Sequence, residues 1–229
     1  MTTPNQISDT TPYVCKTART VGVIKPQFNS QTNGFLPPQL TIKGTGFWLK
    51  DKKAFITCAH VVQGVIGTPI EVAGMLVVGG NGVDYKKATI SILDFVHDLA
   101  VLNIEADDIF LQQQISDGLD ICEKTINVGD QVAYAGFPFG NALLNTRHTP
   151  TYAEGLVGTE ILEDTLPKTI QISGAVAGGY SGAPIVLKTE QTKIIAVLAN
   201  SISKDAGGAN IFRGIHWKHV KELFDLIKS

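Results

Sequence analysis

Short apolar runs, each rich in β-branched residues and ended by Gly, Asp or Lys, recur along most of the chain. They are TVGVI, GTGFWL, AFITCAHVV, MLVVGG, ATISIL and LAVLNI in the first half, and QVAYAGF, GLVGTEI, KTIQIS, APIVLK and IIAVLA in the second. Runs of this length and spacing predict strands joined by hairpins, and a polar stretch near 105–125 divides them into two β modules of about six strands each. The period changes only at the end: in IHWKHVKELFDLIKS the apolar residues Val220, Leu223, Phe224 and Ile227 fall at i, i+3, i+4 and i+7, which predicts an amphipathic helix over about 215–228. Residues 1–13 are polar and turn-forming and predict a loose N-terminus; QFNSQTNGFLPPQ at 27–39 predicts a surface loop. The expected fold class is all-β, with a first module over about 14–115, a second over about 125–212, and the helix closing one of them.

Composition agrees with a globular, turn-rich protein: 229 residues, 44% hydrophobic and 17% charged, with 23 Gly and 10 Pro. The formal net charge is -2 and no run of Lys and Arg occurs, so there is no electrostatic reason to expect nucleic acid or an anionic membrane as partner. Three cysteines, Cys15, Cys58 and Cys122, leave one unpaired in any monomeric disulfide scheme and fit a reducing compartment. The first residues have neither the basic start nor the apolar core of a signal peptide, and no apolar run reaches membrane-spanning length. The expected location is the cytoplasm.

Three residues could carry chemistry. Ser181 stands in GAVAGGYSGAPIV, among small residues just before a strand, where a hydroxyl can lie open beside unpaired backbone N–H groups. Acyl transfer needs that combination of nucleophile and oxyanion donors, although a Gly-rich hairpin turn has the same composition. His60 ends an apolar strand in FITCAHVV, and Asp98 precedes one in HDLAVL. Taken singly, each is more readily read as a structural residue. Together they supply a nucleophile, a base and an orienting carboxylate, with His60 and Asp98 in the first module and Ser181 in the second, so that a site would lie between the modules.

TCAHVV, HDLAVL and GGYSGAP resemble the three catalytic motifs of trypsin-like serine peptidases, more specifically those of the HtrA/Deg branch. AYAGFPFG at 133–140 and GLVGTE are similar to second-barrel segments of that branch, and the resemblance extends over about residues 20–226. It implies two six-stranded antiparallel β-barrels, no cofactor and no metal, and hydrolysis of protein or peptide substrates through an acyl-enzyme. By the same resemblance His60 is the general base and then acid, Asp98 its orienting carboxylate, and Ser181 the nucleophile. Asp94 and Asp84 are the competing acids. The N–H groups of Gly179 and Ser181 match the oxyanion hole. The primary specificity pocket falls on Ala175, Val176, Ala199, Asn200 and Ser201, which include no acid, so small or medium apolar side chains are expected before the cleaved bond.

The sequence departs from the family at Tyr180, where digestive trypsin-like enzymes carry an Asp and the HtrA branch commonly an Asn. An uncharged residue there cannot pair with a newly cut N-terminus, which leaves open how the oxyanion loop is held and admits an activating protein partner. Two other readings use the same residues: a catalytically silent binding module on the trypsin fold, and a different acyl transfer such as ester hydrolysis or ligation. No segment matching the branch's peptide-binding PDZ domain follows the helix.

Overall fold

The computed structural model describes residues 10–29, 31, 33–68, 74–79, 85–144, 149–161, 168–201 and 211–225. The first module consists of β1 (Arg19–Asn29), β2 (Gly34–Leu49), β3 (Ala54–Cys58), β4 (Met75–Gly79), β5 (Tyr85–Asp94) and β6 (Leu99–Ile104), closed into a barrel in the order β1-β2-β3-β6-β5-β4. All of its pairings are antiparallel. Closure removes the exposed edges that such apolar strands would otherwise present. Strand β3 is buried at all five positions, because one face lines the barrel and the other is covered by the second module. There the Cys58 thiol donates to the Leu198 carbonyl at 3.3 Å.

The second module uses β8 (Gln131–Gly136), β9 (Thr151–Ile161), β10 (Thr169–Gly174), β11 (Pro184–Leu187), β12 (Glu190–Ser201) and β13 (Ile211–His216). Its order is β11-β8-β9-β10-β13-β12, and the pairing of β11 with β12 closes this barrel too. The two-residue strand β7 (Asp120–Ile121) runs parallel to β12 outside it. The expected double six-stranded architecture is therefore the one the chain adopts.

Among the described residues five α-helical segments accompany the strands, α1 (Tyr13–Thr17), α2 (Ala59–Val62), α3 (Asp108–Ser116), α4 (Asn141–Leu144) and α5 (Trp217–Asp225), with a 3-10 turn over Gln63–Val65. The closing helix begins at Trp217, two residues later than expected, since Ile215 and His216 still belong to β13; it is described to Asp225, and Ile227 with the expected end near 228 lies outside the described residues. Val220, Leu223 and Phe224 are buried as their spacing requires. Each such side chain contributes about 1.5–3 kcal/mol relative to exposure.

Three expectations need correction. Of the loose N-terminus expected over 1–13, residues 1–9 lie outside the described residues, and Tyr13 opens α1, whose Val14 is fully buried. The polar stretch near 105–125 is not merely a connection: it holds α3, capped by the Asp107 carboxylate accepting from the Phe110 N–H at 2.8 Å, and then β7. The segment 27–39 is mostly strand, with β1 and β2 continuing as a ribbon through Gln27↔Leu36, Phe28↔Phe35 and Asn29↔Gly34. Pro26, Pro37 and Pro38 fall in the register break between Lys25↔Gln39 and Gln27↔Leu36, the one place where strands without those N–H donors can still pair on either side.

Candidate active site

β3 delivers His60 to the cleft. The strand turns into α2 at Ala59, and the burial of Ala59, Val61 and Val62 anchors that turn while leaving the imidazole at its open side. Asp98 ends the tight connection between β5 and β6 with φ +57, a left-handed conformation that a non-glycine residue adopts only where its surroundings enforce it. The enforcement is visible. The Asp98 carbonyl accepts from the Ala59 N–H at 3.1 Å, its Oδ1 accepts from the His60 N–H at 2.9 Å, and its Oδ2 lies 2.7 Å from His60 Nδ1. An ionised carboxylate can only accept, so Nδ1 carries the proton and Nε2 keeps its lone pair toward the cleft.

The competing acids separate cleanly. Asp94 faces His97, with Oδ2 2.5 Å from His97 Nδ1 and Oδ1 accepting the His97 N–H at 3.0 Å. Burial raises its pKa, but the hydrogen bonds from His97 outweigh that and hold the carboxyl below its usual range. Asp84 lies outside the described residues.

Ser181 lies in the loop between β10 and β11, and its hydroxyl donates to the Ala199 carbonyl at 2.9 Å. Among the described residues no hydrogen bond joins it to His60, so the expected serine–histidine contact is not made in this state. The Ser181 backbone and the turn that carries His60 nevertheless both pack on Gly44: a Cβ placed there would come within 2.7 Å of both the Ser181 carbonyl oxygen and the Val61 side chain. Only glycine permits that approach.

The loop preceding Ser181 is held peptide by peptide. The Gly178 carbonyl accepts from the Phe139 N–H at 2.7 Å, the Gly179 carbonyl from Thr45 Oγ1 at 2.7 Å, the Tyr180 carbonyl from the Ala183 N–H at 2.8 Å and the Ser181 carbonyl from the Thr45 N–H at 2.8 Å. In a trans peptide the N–H points opposite to the carbonyl, so these bonds turn the Gly179 and Ser181 N–H groups to the other side. Among the described residues neither N–H donates to any group. Gly179 has φ +105, and a Cβ there would lie 2.1 Å from the Phe137 carbonyl oxygen. No other residue fits.

Tyr180 is buried in the second module. Its hydroxyl donates to the Thr151 carbonyl at 3.4 Å, and burial, with a smaller contribution from Cys15, pushes its pKa up to about 12. Of the expected pocket residues, Ala199 meets Ser181 through its carbonyl. Ala175 is exposed, with its carbonyl held by the Tyr134 hydroxyl at 2.7 Å, and is not barrel core; Val176 packs partly buried against the second core. The backbones of Asn200 and Ser201 pair with Arg213 and Phe212 in β13, and their side chains lie outside the described residues.

Two features went unread in the sequence. One is Thr45, flanked by glycines in β2. The other is a groove of about 440 Å³ beside Gly179, lined by Gln39, Thr41, Lys43, Phe139 and Asn141 among others. Phe139 is 66% exposed there at φ +61. The AYAGFPFG string marks this segment in the sequence, but the positive φ that exposes Phe139 appears only in three dimensions.

Metal-ligating side chains gather at His97, His219 and Glu222, within 4.8 Å of one another. The two imidazoles stack with centroids 4.1 Å apart and planes inclined by 22°, and their Nδ1 atoms face Asp94 and Glu222 respectively. Stacked rings direct their lone pairs side by side and not onto a common point, so this arrangement does not form a chelate. Cys58, His60 and Asp98 also cluster, but burial and then the Asp98 charge keep the Cys58 thiol protonated, and the Asp98 carboxylate is engaged by His60.

The family model of the trypsin-like peptidase domain matches residues 44–197, more than half the chain. No curated protein matches the chain. Among solved structures, the HtrA-type protease AlgW with a decapeptide superposes with a TM-score of 0.71 at 17% identity, covering 93% of this chain and 65% of its own. Two forms of the Rv3671c protease of M. tuberculosis superpose as well. The active form gives a TM-score of 0.64 at 17% identity, covering 93% of this chain and 81% of its own. An inactive mutant gives 0.65 at 18%, covering 99% and 95%. The chain thus spans just under two thirds of AlgW and most of Rv3671c, and at these identities the likeness is one of fold. With the matched family model and two closed barrels meeting at a histidine–aspartate pair and a loop serine, the chain belongs to the trypsin-like serine peptidases.

Proposed function

We propose that this protein is an endopeptidase that cleaves peptide bonds through an acyl-enzyme on Ser181. The observation that carries the reading is the double grip of Asp98 on His60, on the ring at 2.7 Å and on the backbone at 2.9 Å, which leaves Nε2 as the free base. A rotation about the Ser181 Cα–Cβ bond exchanges the Ala199 carbonyl for His60 Nε2. His60 then takes the hydroxyl proton as Oγ attacks the scissile carbonyl. The N–H groups of Gly179 and Ser181 receive the oxyanion, each such donor being worth about 3 kcal/mol of transition-state stabilisation. Collapse breaks the C–N bond, the imidazolium protonates the departing amine, and water repeats the sequence in reverse to free Ser181.

Peptides are the substrate class we assign, supported by the decapeptide and tripeptide in the AlgW structures. We place the acyl-side specificity pocket between Ala175–Val176 and Ala199–Ser201. Without an acid there, a Lys or Arg side chain would enter unpaired, so small or medium apolar residues are preferred. The paired carbonyls of the oxyanion loop support a hole formed in the free chain, in place of one that waits for an activating partner. Unpaired Cys15, Cys58 and Cys122, all buried, support a reducing, cytoplasmic setting. Peptide-library profiling of the wild type against Ser181→Ala tests this reading: Ser181-dependent cleavage after Ala, Val or Leu is expected, whereas cleavage after Arg or Lys overturns the pocket assignment.

A further inference from the structure

We infer that Thr45 is a positioning residue that aims the oxyanion donors, acting on the second barrel from within the first. This rests on the peptidase reading above and extends it to a residue outside the triad. Thr45 is fully buried, and each of its polar groups is engaged. Its N–H donates to the Ser181 carbonyl at 2.8 Å, and Oγ1 donates to the Gly179 carbonyl at 2.7 Å. Oγ1 also accepts the Phe137 N–H at 3.1 Å, while the Thr45 carbonyl accepts Thr57 Oγ1 at 2.7 Å.

The consequence follows from peptide geometry. The oxyanion donors are the N–H groups of the 178–179 and 180–181 peptides, and the 179–180 peptide between them is fixed by Thr45 Oγ1. The same oxygen anchors Phe137, two residues before the Phe139 N–H that holds the Gly178 carbonyl. One hydroxyl therefore restrains both sides of the Gly179 amide. A flip of the 178–179 peptide would put the Gly178 carbonyl where the oxyanion belongs and remove a donor. That flip has to break the Phe139–Gly178 bond, which Thr45 supports through Phe137.

Valine has the shape of threonine without the hydroxyl. Thr45→Val leaves the Gly179 carbonyl and the Phe137 N–H without this partner, and Thr45→Ser restores both bonds. Removal of a whole oxyanion donor lowers kcat by about 10²–10³, so a misaimed donor is expected to lower it roughly 10- to 100-fold. KM should stay within about twofold, because the effect falls on the transition state.

The experiment measures kcat and KM for wild type, T45V and T45S, with ¹⁵N amide spectra and thermal unfolding of each. T45V is expected to lose kcat and to shift the Gly179 and Ser181 amide resonances, while T45S recovers most of both. A folded T45V with kcat within twofold of wild type, or T45S impaired as deeply as T45V, overturns the inference. Should T45V not fold, T45S against T45C carries the same comparison, since a thiol is a weak donor; equal kcat in the two is the overturning result. A wild type that cleaves nothing would defeat the peptidase reading instead. The amide spectra would still decide on Thr45: unmoved Gly179 and Ser181 resonances in T45V (T45C if T45V does not fold) end the inference, and resonances moved there but not in T45S sustain it.

Discussion

The ring of Tyr180 stands edge-on to that of Tyr134, with centroids 5.6 Å apart and planes inclined by 75°. Tyr134 in turn meets Phe212 edge-on at 5.0 Å. The residue just before Ser181 is thus tied to the second barrel by an aromatic cluster. Offset and edge-to-face pairs of this kind add about 0.5–1.5 kcal/mol beyond burial, and they need no proteolytic trigger.

Tyr180→Phe keeps the cluster and loses only a long hydrogen bond to Thr151, so it is expected to lower stability by less than about 1 kcal/mol and to leave kcat nearly intact. Tyr180→Ala opens a cavity under the loop and should cost about 3–5 kcal/mol. Its residual activity should fall further than the folded fraction. Urea unfolding together with kcat on the folded population distinguishes the two variants.

Asp98 and Asp94 stand four residues apart and each holds a histidine, yet only Asp98 holds His60. Asp98→Asn removes the carboxylate that sets the tautomer, a change expected to lower kcat by about 10⁴ in triad enzymes. Asp94→Asn touches only the His97 side and should leave kcat within about twofold. Steady-state kinetics on both variants checks the assignment, and equal losses would contradict it.

His216 gives a pH dependence of stability. It is 2% exposed, and its Nδ1 accepts the Lys218 N–H at 3.1 Å. Burial first, then the charges of Lys168, Lys218 and His219, push its pKa down from 6.5 to about 3. Between those values the unfolded chain binds a proton that the folded chain does not, so the stabilisation is full above about pH 6.5 and declines as pH falls toward about 3. Urea midpoints measured from pH 7 to 4 should decrease, and His216→Asn, which keeps an acceptor but cannot titrate, should flatten that slope.

The strands were legible because their apolar runs are short, β-branched and cleanly bounded, and α5 because its apolar residues keep a strict helical spacing. Helix α3 was not, since none of its residues is buried and Ile109 is 80% exposed. It is docked by Arg19, whose Nε donates to Gln114 at 2.7 Å across 95 residues of sequence. The ribbon over 27–39 was hidden by prolines that the register break accommodates. At the site, His60, Asp98 and Ser181 were visible through three motif strings, whereas Thr45 was not. A threonine between glycines carries no polar pattern, and its hydroxyl partners lie 92 and 134 residues away.

Reaction with a fluorophosphonate probe tests the central claim most directly, comparing wild type with Ser181→Ala and His60→Ala. The account predicts labelling of the wild type, none of Ser181→Ala, and labelling of His60→Ala slowed by at least about 10³. A folded wild type that does not label, or a Ser181→Ala variant that labels equally, would contradict it.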